Sequence, residues 1–279
     1  MKLRISHRIH YRYSEPVTLA PQRVLLRPRE HHHASVLSFR LDVNPRAKIF
    51  WARDANENSL ASVHVHERCA EFSVHATSEV ETLDANPFDF LLISEAARHP
   101  FHYSASDAAA LAPFLEPPRG RSHPLLAWLR SIMPQFPDDT LALLTQLNRT
   151  LRDQIHVQPK LRPDIQSPEQ TIQARSGTCR DIANLMTHAC RALGIAARYV
   201  SGYRFDERDT FGLHAWTEVY LPGAGWKGFD PSTALLSDDH YVSVAAGSGP
   251  EQLAPVAGTF WSSPATTSTM ETTVEVARL

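Results

Sequence analysis

The 279-residue chain has little cysteine, only Cys69, Cys179 and Cys190. An odd, sparse set excludes a disulfide framework, and the lack of any C-x-x-C pair excludes a thiolate zinc site. Charge of one sign is also missing: 28 Lys+Arg stand against 30 Asp+Glu, for a net charge of −2. Without a basic face there is no nucleic-acid footprint and no polybasic membrane patch. No apolar run is long enough to span a bilayer, and the opening MKLRISHRIHYRY has no apolar core of a secretory signal, so a cytoplasmic protein is expected. No acidic loop of the calcium-binding type is present, and no cofactor is expected. Internal repeats and low-complexity tracts are absent. What remains is 43% hydrophobic and 21% charged, an ordinary globular composition, long enough for one large domain or two small ones.

The first part of the chain reads as β. Leu3, Ile5, His7, Ile9, Tyr11 and Tyr13 alternate with polar residues, as do Leu37 to Val43, Ala61 to Val65, and Phe72 to Val80. Short strands with turns between them predict an antiparallel sandwich-like domain over 1–84. Residues 85–123 lose all periodicity at Pro87, Pro100, Pro113, Pro117 and Pro118, yet carry Phe88, Phe90, Leu91, Phe101, Tyr103 and Phe114. This predicts a linker packed on a neighbour. A third unit, 124–279, opens with helices from Leu125 to Met133 and from an N-cap at Asp138, whose apolar stripe is Leu144, Leu147, Leu151 and Ile155.

The next segment carries the chemistry. Ser167-Pro168-Glu169-Gln170 is a capping box with proline at the first helical position. Thr178 caps a second helix, with Asp181 as its partner, Ile182, Leu185, Met186, Ala189 and Leu193 as its buried stripe, and Gly194 as its stop. Strand patterns follow at 196–204, 213–221 and 226–230, the last two joined by Pro222-Gly223-Ala224-Gly225. Residues 244–270 read as loops, and METTVEVAR as a final strand.

Cys179 is therefore the first residue of a capped helix, among unpaired N–H groups at the positive end of the helix dipole, which favours a thiolate and offers a backbone N–H to an oxyanion. Cys190, mid-helix, and Cys69 read as structural. His214 and Asp230 lie on neighbouring strands. An even hairpin register brings Asp230 opposite His214 or Trp216 and on the same side of the sheet. The imidazole then has one nitrogen for the thiol and one for the carboxylate. The same even positions make Trp216 and Trp226 candidates for the walls of a cleft, with core packing the alternative. Gln173, six residues before Cys179, falls on the preceding helix, which weakens it as a second oxyanion donor. His31-His32-His33 has no accompanying ligand pattern and reads as a solvated loop.

The strings GTCRDIANLMTHACRALGIAARYVSGY and LHAWTEVYLPGAGWKGFDPS, with the opening HYRYSEPVTLAPQRVLLRPR, resemble the bacterial transglutaminase-like proteins, relatives of animal transglutaminases and papain-like proteases. The resemblance implies an α+β fold: a β-rich N-terminal domain, then a core in which the cysteine helix packs on an antiparallel sheet. It also implies Cys179 as nucleophile, His214 as base and Asp230 as its orienter. Two departures stand out. Glu57 occupies the usual glycine of a D-x-x-G-N turn, and Ser248-Gly249-Pro250 replaces an Arg-Asp-like run. The expected activity is thiol-dependent acyl transfer on a peptide or protein amide, through a thioester and chiefly hydrolytic, as in a cysteine protease or amidase. Transglutaminase-type amine transfer is the alternative within that chemistry. A non-catalytic binding module is the alternative outside it. Oligomeric state is left open.

Overall fold

The alternating N-terminal runs extend and pair because each carries one apolar face. The computed structural model describes residues 1–83, 86–115, 122–158, 164–207 and 212–279. Six strands open the chain: β1 (Lys2–Leu19), β2 (Gln22–Val24), β3 (Ala34–Asn44), β4 (Ala47–Arg53), β5 (Ser59–Val65) and β6 (Cys69–Thr82). Helices α1 (Ala105–Leu115), α2 (Ser122–Ile132) and α3 (Thr140–Gln154) follow. Then come β7 (His156–Val157), α4 (Pro168–Ala174), β8 (Ser176–Gly177) and α5 (Cys179–Ala192). The chain ends with β9 (Ala197–Arg204), β10 (Leu213–Leu221), β11 (Gly225–Asp230), β12 (Leu235–Leu236), β13 (Tyr241–Gly247), β14 (Val256–Ala257), β15 (Phe260–Trp261) and β16 (Ser268–Arg278).

Strands β15, β1, β6 and β3 form one N-terminal sheet, with β16 also on β1, and β14, β2, β5 and β4 form the second. Val17, Val24, Val63, Phe72 and Val74 close the core between them. The expected third unit of 124–279 is thus cut short. Its last strands return to the first domain, where β16 pairs with β1 from Leu3↔Arg278 to Tyr13↔Ser268. The expected boundary at 84/85, and Pro117 and Pro118 of the linker, lie outside the described residues. Within the linker the structure adds a helix, α1, which runs through Pro113. The strong helix propensity of Ala108 to Ala112 outweighs a proline near the helix end. Phe90, Leu92 and Phe101 pack on the main core, whereas Phe88 and Leu91 are exposed. The packed-linker expectation therefore holds for only part of its apolar set.

The second core layers α2, α3 and α5 on the antiparallel sheet β12-β11-β10-β9-β13. Leu144, Leu147 and Leu151 of α3 meet Leu185, Met186 and Ala189 of α5 and Val219, Leu221 and Phe229 of the sheet. Asp139, one residue beyond the expected cap, starts α3 by accepting from the Ala142 N–H at 2.7 Å. The second half of β13, from Val244, lies in the segment expected to be loop. Tyr241 to Gly247 is buried throughout, and its small residues, covered on both faces, give no alternation to detect.

The two domains meet along β13. Asn58, at the end of the Asp54–Asn58 turn, is fully buried. Its amide donates to the Ala246 carbonyl and accepts from the Ala246 N–H, both at 2.9 Å, so one side chain imitates a neighbouring strand. Asp54 Oδ1 accepts from the Asn56 and Asn58 N–H groups at 2.9 Å each. Glu57 is held at φ 61, the left-handed conformation that explains why glycine suits this position.

Candidate active site

The site is assembled at the first turn of α5. Thr178 accepts from the Asp181 N–H at 3.4 Å, and Asp181 Oδ2 accepts from the Thr178 N–H and hydroxyl at 2.8 Å each. Asp181 Oδ1 takes the Gln166 N–H at 2.7 Å, which ties the approach to α4 to the same cap. Gly177 is required here, because a Cβ would lie 2.8 Å from the Asp181 Cβ. The cap leaves Cys179 partly exposed at the first helical position, as expected, with no intrahelical carbonyl for its N–H. Cys190 is fully buried, and burial pushes its thiol up to about 12. Cys69 is buried too, which likewise raises it. Both match the structural reading.

A buried hydroxyl pair sets the strand against the helix. Thr217 of β10 donates to the Ala183 carbonyl of α5 at 2.9 Å and lies 3.0 Å from the Thr187 hydroxyl. In the β10–β11 hairpin Thr217 faces Phe229 and Glu218 faces Gly228, the even register, which carries Asp230 to the level of Trp216. Gly223 and Gly225, at φ 93 and 73, make the turn possible.

This geometry brings Cys179, His214 and Asp230 together. His214 Nε2 lies 2.8 Å from Asp230 Oδ2, and the Cys179 thiol hydrogen-bonds the same imidazole. With Nε2 taken, Nδ1 is the nitrogen left for sulfur. Asp230 is fully buried and fully partnered. Its Oδ1 accepts from the Ser232 N–H at 2.9 Å and the Ser232 hydroxyl at 2.7 Å. Its Oδ2 also accepts from the Thr233 and Tyr241 hydroxyls at 2.8 Å each. Burial alone pushes the Asp230 carboxyl up, but the His214 charge and these donors outweigh it and hold the group well below the usual carboxylate range. Burial pulls His214 down, but the Asp230 charge and hydrogen bond, then the Cys179 contact, raise it to about 10. The pairing keeps a proton on the imidazole beside the Asp230 carboxylate.

Both tryptophans take the packing role. Trp216 is 1% exposed and packs with Val200, Tyr241 and Ala246, so it is core rather than a cleft wall. Along β10, Thr217, Val219 and Leu221 turn toward α5, whereas Trp216 packs on the other face of the sheet. Trp226 sits beside Tyr220 near the hairpin turn, with Phe114 of α1 at 5.2 Å and the Arg198 guanidinium 4.2 Å above its ring. It packs α1 onto the sheet. Gln173 is exposed on α4. His31 to His33 form a turn with ring contacts to one another. Among the described residues the one trio with metal-ligand geometry is Asp238, Asp239 and His240. There His240 Nδ1 lies 3.1 and 3.2 Å from the two carboxylates, within hydrogen-bonding reach of both.

Sequence reasoning missed three partners of Asp230. Ser232 and Thr233 were detectable, because hydroxyls two and three residues after an aspartate commonly bond back to it. Tyr241 was not, since it arrives on β13, a strand buried throughout that shows no alternation.

Comparison with known proteins agrees with this architecture. Residues 3–81 match the bacterial transglutaminase-like N-terminal region, and residues 129–231 match the transglutaminase-like superfamily. An uncharacterized protein of Mycobacterium tuberculosis is 28% identical over 92% of this chain and 87% of its own. One of Mycobacterium leprae is 24% identical over 100% of this chain and 99% of its own. A peptide-N(4)-(N-acetyl-beta-glucosaminyl)asparagine amidase of Homo sapiens is 43% identical over 60 residues, 22% of this chain and 8% of that protein. A solved structure from Cytophaga hutchinsonii, named a putative cysteine protease, superposes with a TM-score of 0.76 at 23% identity, over 99% of this chain and 90% of that one, and shares the fold. No helix among the described residues is long and apolar enough to cross a membrane. The chain belongs to the transglutaminase-like superfamily, with the bacterial transglutaminase-like N-terminal region ahead of the core.

Proposed function

We propose that the protein is a cysteine amidase or protease that cleaves an amide in a peptide or protein through a thioester on Cys179. The observation that carries this reading is the His214 imidazole, held by Asp230 at 2.8 Å on Nε2 and hydrogen-bonded to a thiol at a helix N-terminus. The Cys179 thiolate attacks the carbonyl carbon, and the oxyanion receives the Cys179 backbone N–H. His214 gives its proton to the leaving amine as the C–N bond breaks. A water then loses a proton to His214 and attacks the thioester, releasing the acid and the thiol. Asp230 holds the ring orientation throughout. The 60-residue likeness to an asparagine amidase supports water as the second acceptor, because that relative's name describes amide hydrolysis.

The test is intact-mass analysis during incubation with a library of peptide amides, comparing wild type with Cys179→Ala. An acyl adduct on the wild type, with acid product formed by wild type alone, supports the reading. Equal turnover by both proteins sinks it. Adding a primary amine separates the acceptors: a product dominated by the new amide would make the enzyme a transglutaminase. No adduct and no product from any peptide would favour the binding-module alternative.

A further inference from the structure

We infer that Tyr241 is a positioning residue of this site, whose hydroxyl sets how much of the Asp230 charge reaches His214. The assignment rests on the triad reading above. Tyr241 donates to Asp230 Oδ2 at 2.8 Å, and that same oxygen pairs with His214 Nε2 at 2.8 Å. The two donors therefore compete for one oxygen. The phenol is held firmly in that role. Its ring meets Trp216 edge-on at 5.4 Å and His214 at 6.1 Å, and its backbone is paired with Arg204 of β9. Burial and the neighbouring Asp230 keep its proton on well above the usual tyrosine range, so it donates at every working pH.

Among the described residues, charged and titratable groups face this cluster from α5, β11 and β9, where Tyr199 also lies within electrostatic reach of Cys179. Cys179 comes from α5, Asp230 from β11, and Arg204 from β9, the last with its guanidinium 5.9 Å over the Tyr241 ring. Arg204 is itself paired with Asp206 at 2.9 Å. Ser232 and Thr233 remain on the carboxylate when the phenol is removed, so Asp230 stays in place. Losing one donor from Oδ2 then leaves more negative charge for the imidazolium, because a hydrogen bond to an ion withdraws charge from it.

The experiment needs no substrate. Cys179 is alkylated with iodoacetamide from about pH 4 to about pH 11, and its rate is followed by peptide mass mapping. In wild type the rate rises in two steps, the upper one marking loss of the His214 proton. Tyr241→Phe keeps the ring and is expected to move the upper step to higher pH by about half a unit to one unit. An unmoved upper step, or one moved to lower pH, overturns the inference. A thermal melt checks that the variant is folded. Should it not be, 3-fluorotyrosine at position 241, a stronger donor in the same shape, is expected to move the step down, and no movement or an upward one overturns the inference. A wild type with one step, unchanged by His214→Ala, shows instead that the triad reading has failed, and the role of Tyr241 falls with it.

Discussion

Asp230 and Asn58 are both buried polar hubs at 0% exposure, and each is saturated with hydrogen bonds. They do opposite work. Asn58 is neutral, and its amide engages Asp54, Arg29 and both backbone groups of Ala246. It welds the N-terminal domain to β13 and has no reactive neighbour. Asp230 is an anion, and one of its oxygens faces an imidazole that touches a thiol. Saturated burial is therefore a general device for specificity. Charge, and the identity of one partner, set Asp230 apart from Asn58.

Substitution at the two hubs should separate these roles. Asp230→Asn keeps the shape but presents an N–H to the ring and favours the wrong tautomer. We expect thioester formation to fall by about 10²- to 10⁴-fold with little loss of folded protein, read by acyl-adduct kinetics beside a melt. If Asp230→Asn unfolds the chain while sparing the rate per folded molecule, the two hubs are alike and the contrast fails. Asn58→Ala should do the reverse. It orphans the Ala246 backbone and costs about 2–4 kcal/mol in urea unfolding, while the folded fraction keeps its Cys179 reactivity. A loss of reactivity larger than the loss of folded protein would show that the domain junction also tunes the site.

Acidity sharpens the contrast further. His214 is raised from 6.5 to about 10 in the folded protein, so its contribution to stability is full below about pH 6.5 and is lost as pH rises through about 10. Asp230 is depressed from 3.8, so its contribution is present above that value and is lost as pH falls through its folded value. Thermal midpoints should therefore decline from pH 7 to pH 10 in wild type and in Asn58→Ala alike. The decline should be visibly flatter in Asp230→Asn. Equal slopes in all three would mean that the His214–Asp230 pair carries no linkage. The smallest effect is expected beside the neutral hub. Glu57→Gly relieves φ 61 and should stabilise by about 0.5–1 kcal/mol without altering the alkylation of Cys179. A destabilised variant would show that the Glu57 side chain contributes more than its backbone costs.

Much of the site was readable along the chain because its signals are local. The capping box at Thr178, the glycine stop at Gly194 and the alternation of β10 and β11 each act over a few residues. Together they place Cys179, His214 and Asp230 on the right elements. The reading failed where burial on both sides erased periodicity, as in β13. It failed again where one face of a strand had to be assigned to core or cleft, as for Trp216. Helix α1 is hidden by Pro113, whose signal as a breaker masks the alanines that carry the helix through it. The tail was recognised as a strand, but its partner lay at the other end of the chain, where no local pattern points.

By itself the sequence determined which residues begin the Cys179 helix, which strands carry the histidine and the aspartate, and that their hairpin turns within a few residues. Those choices are governed by backbone propensity, capping and period, which are properties of short segments. Only the tertiary structure decided that Tyr241 and Asn58 bond where they do, that Trp216 is core, and that β16 completes the first sheet. These depend on strands separated by long stretches of chain, whose packing no short window of sequence contains.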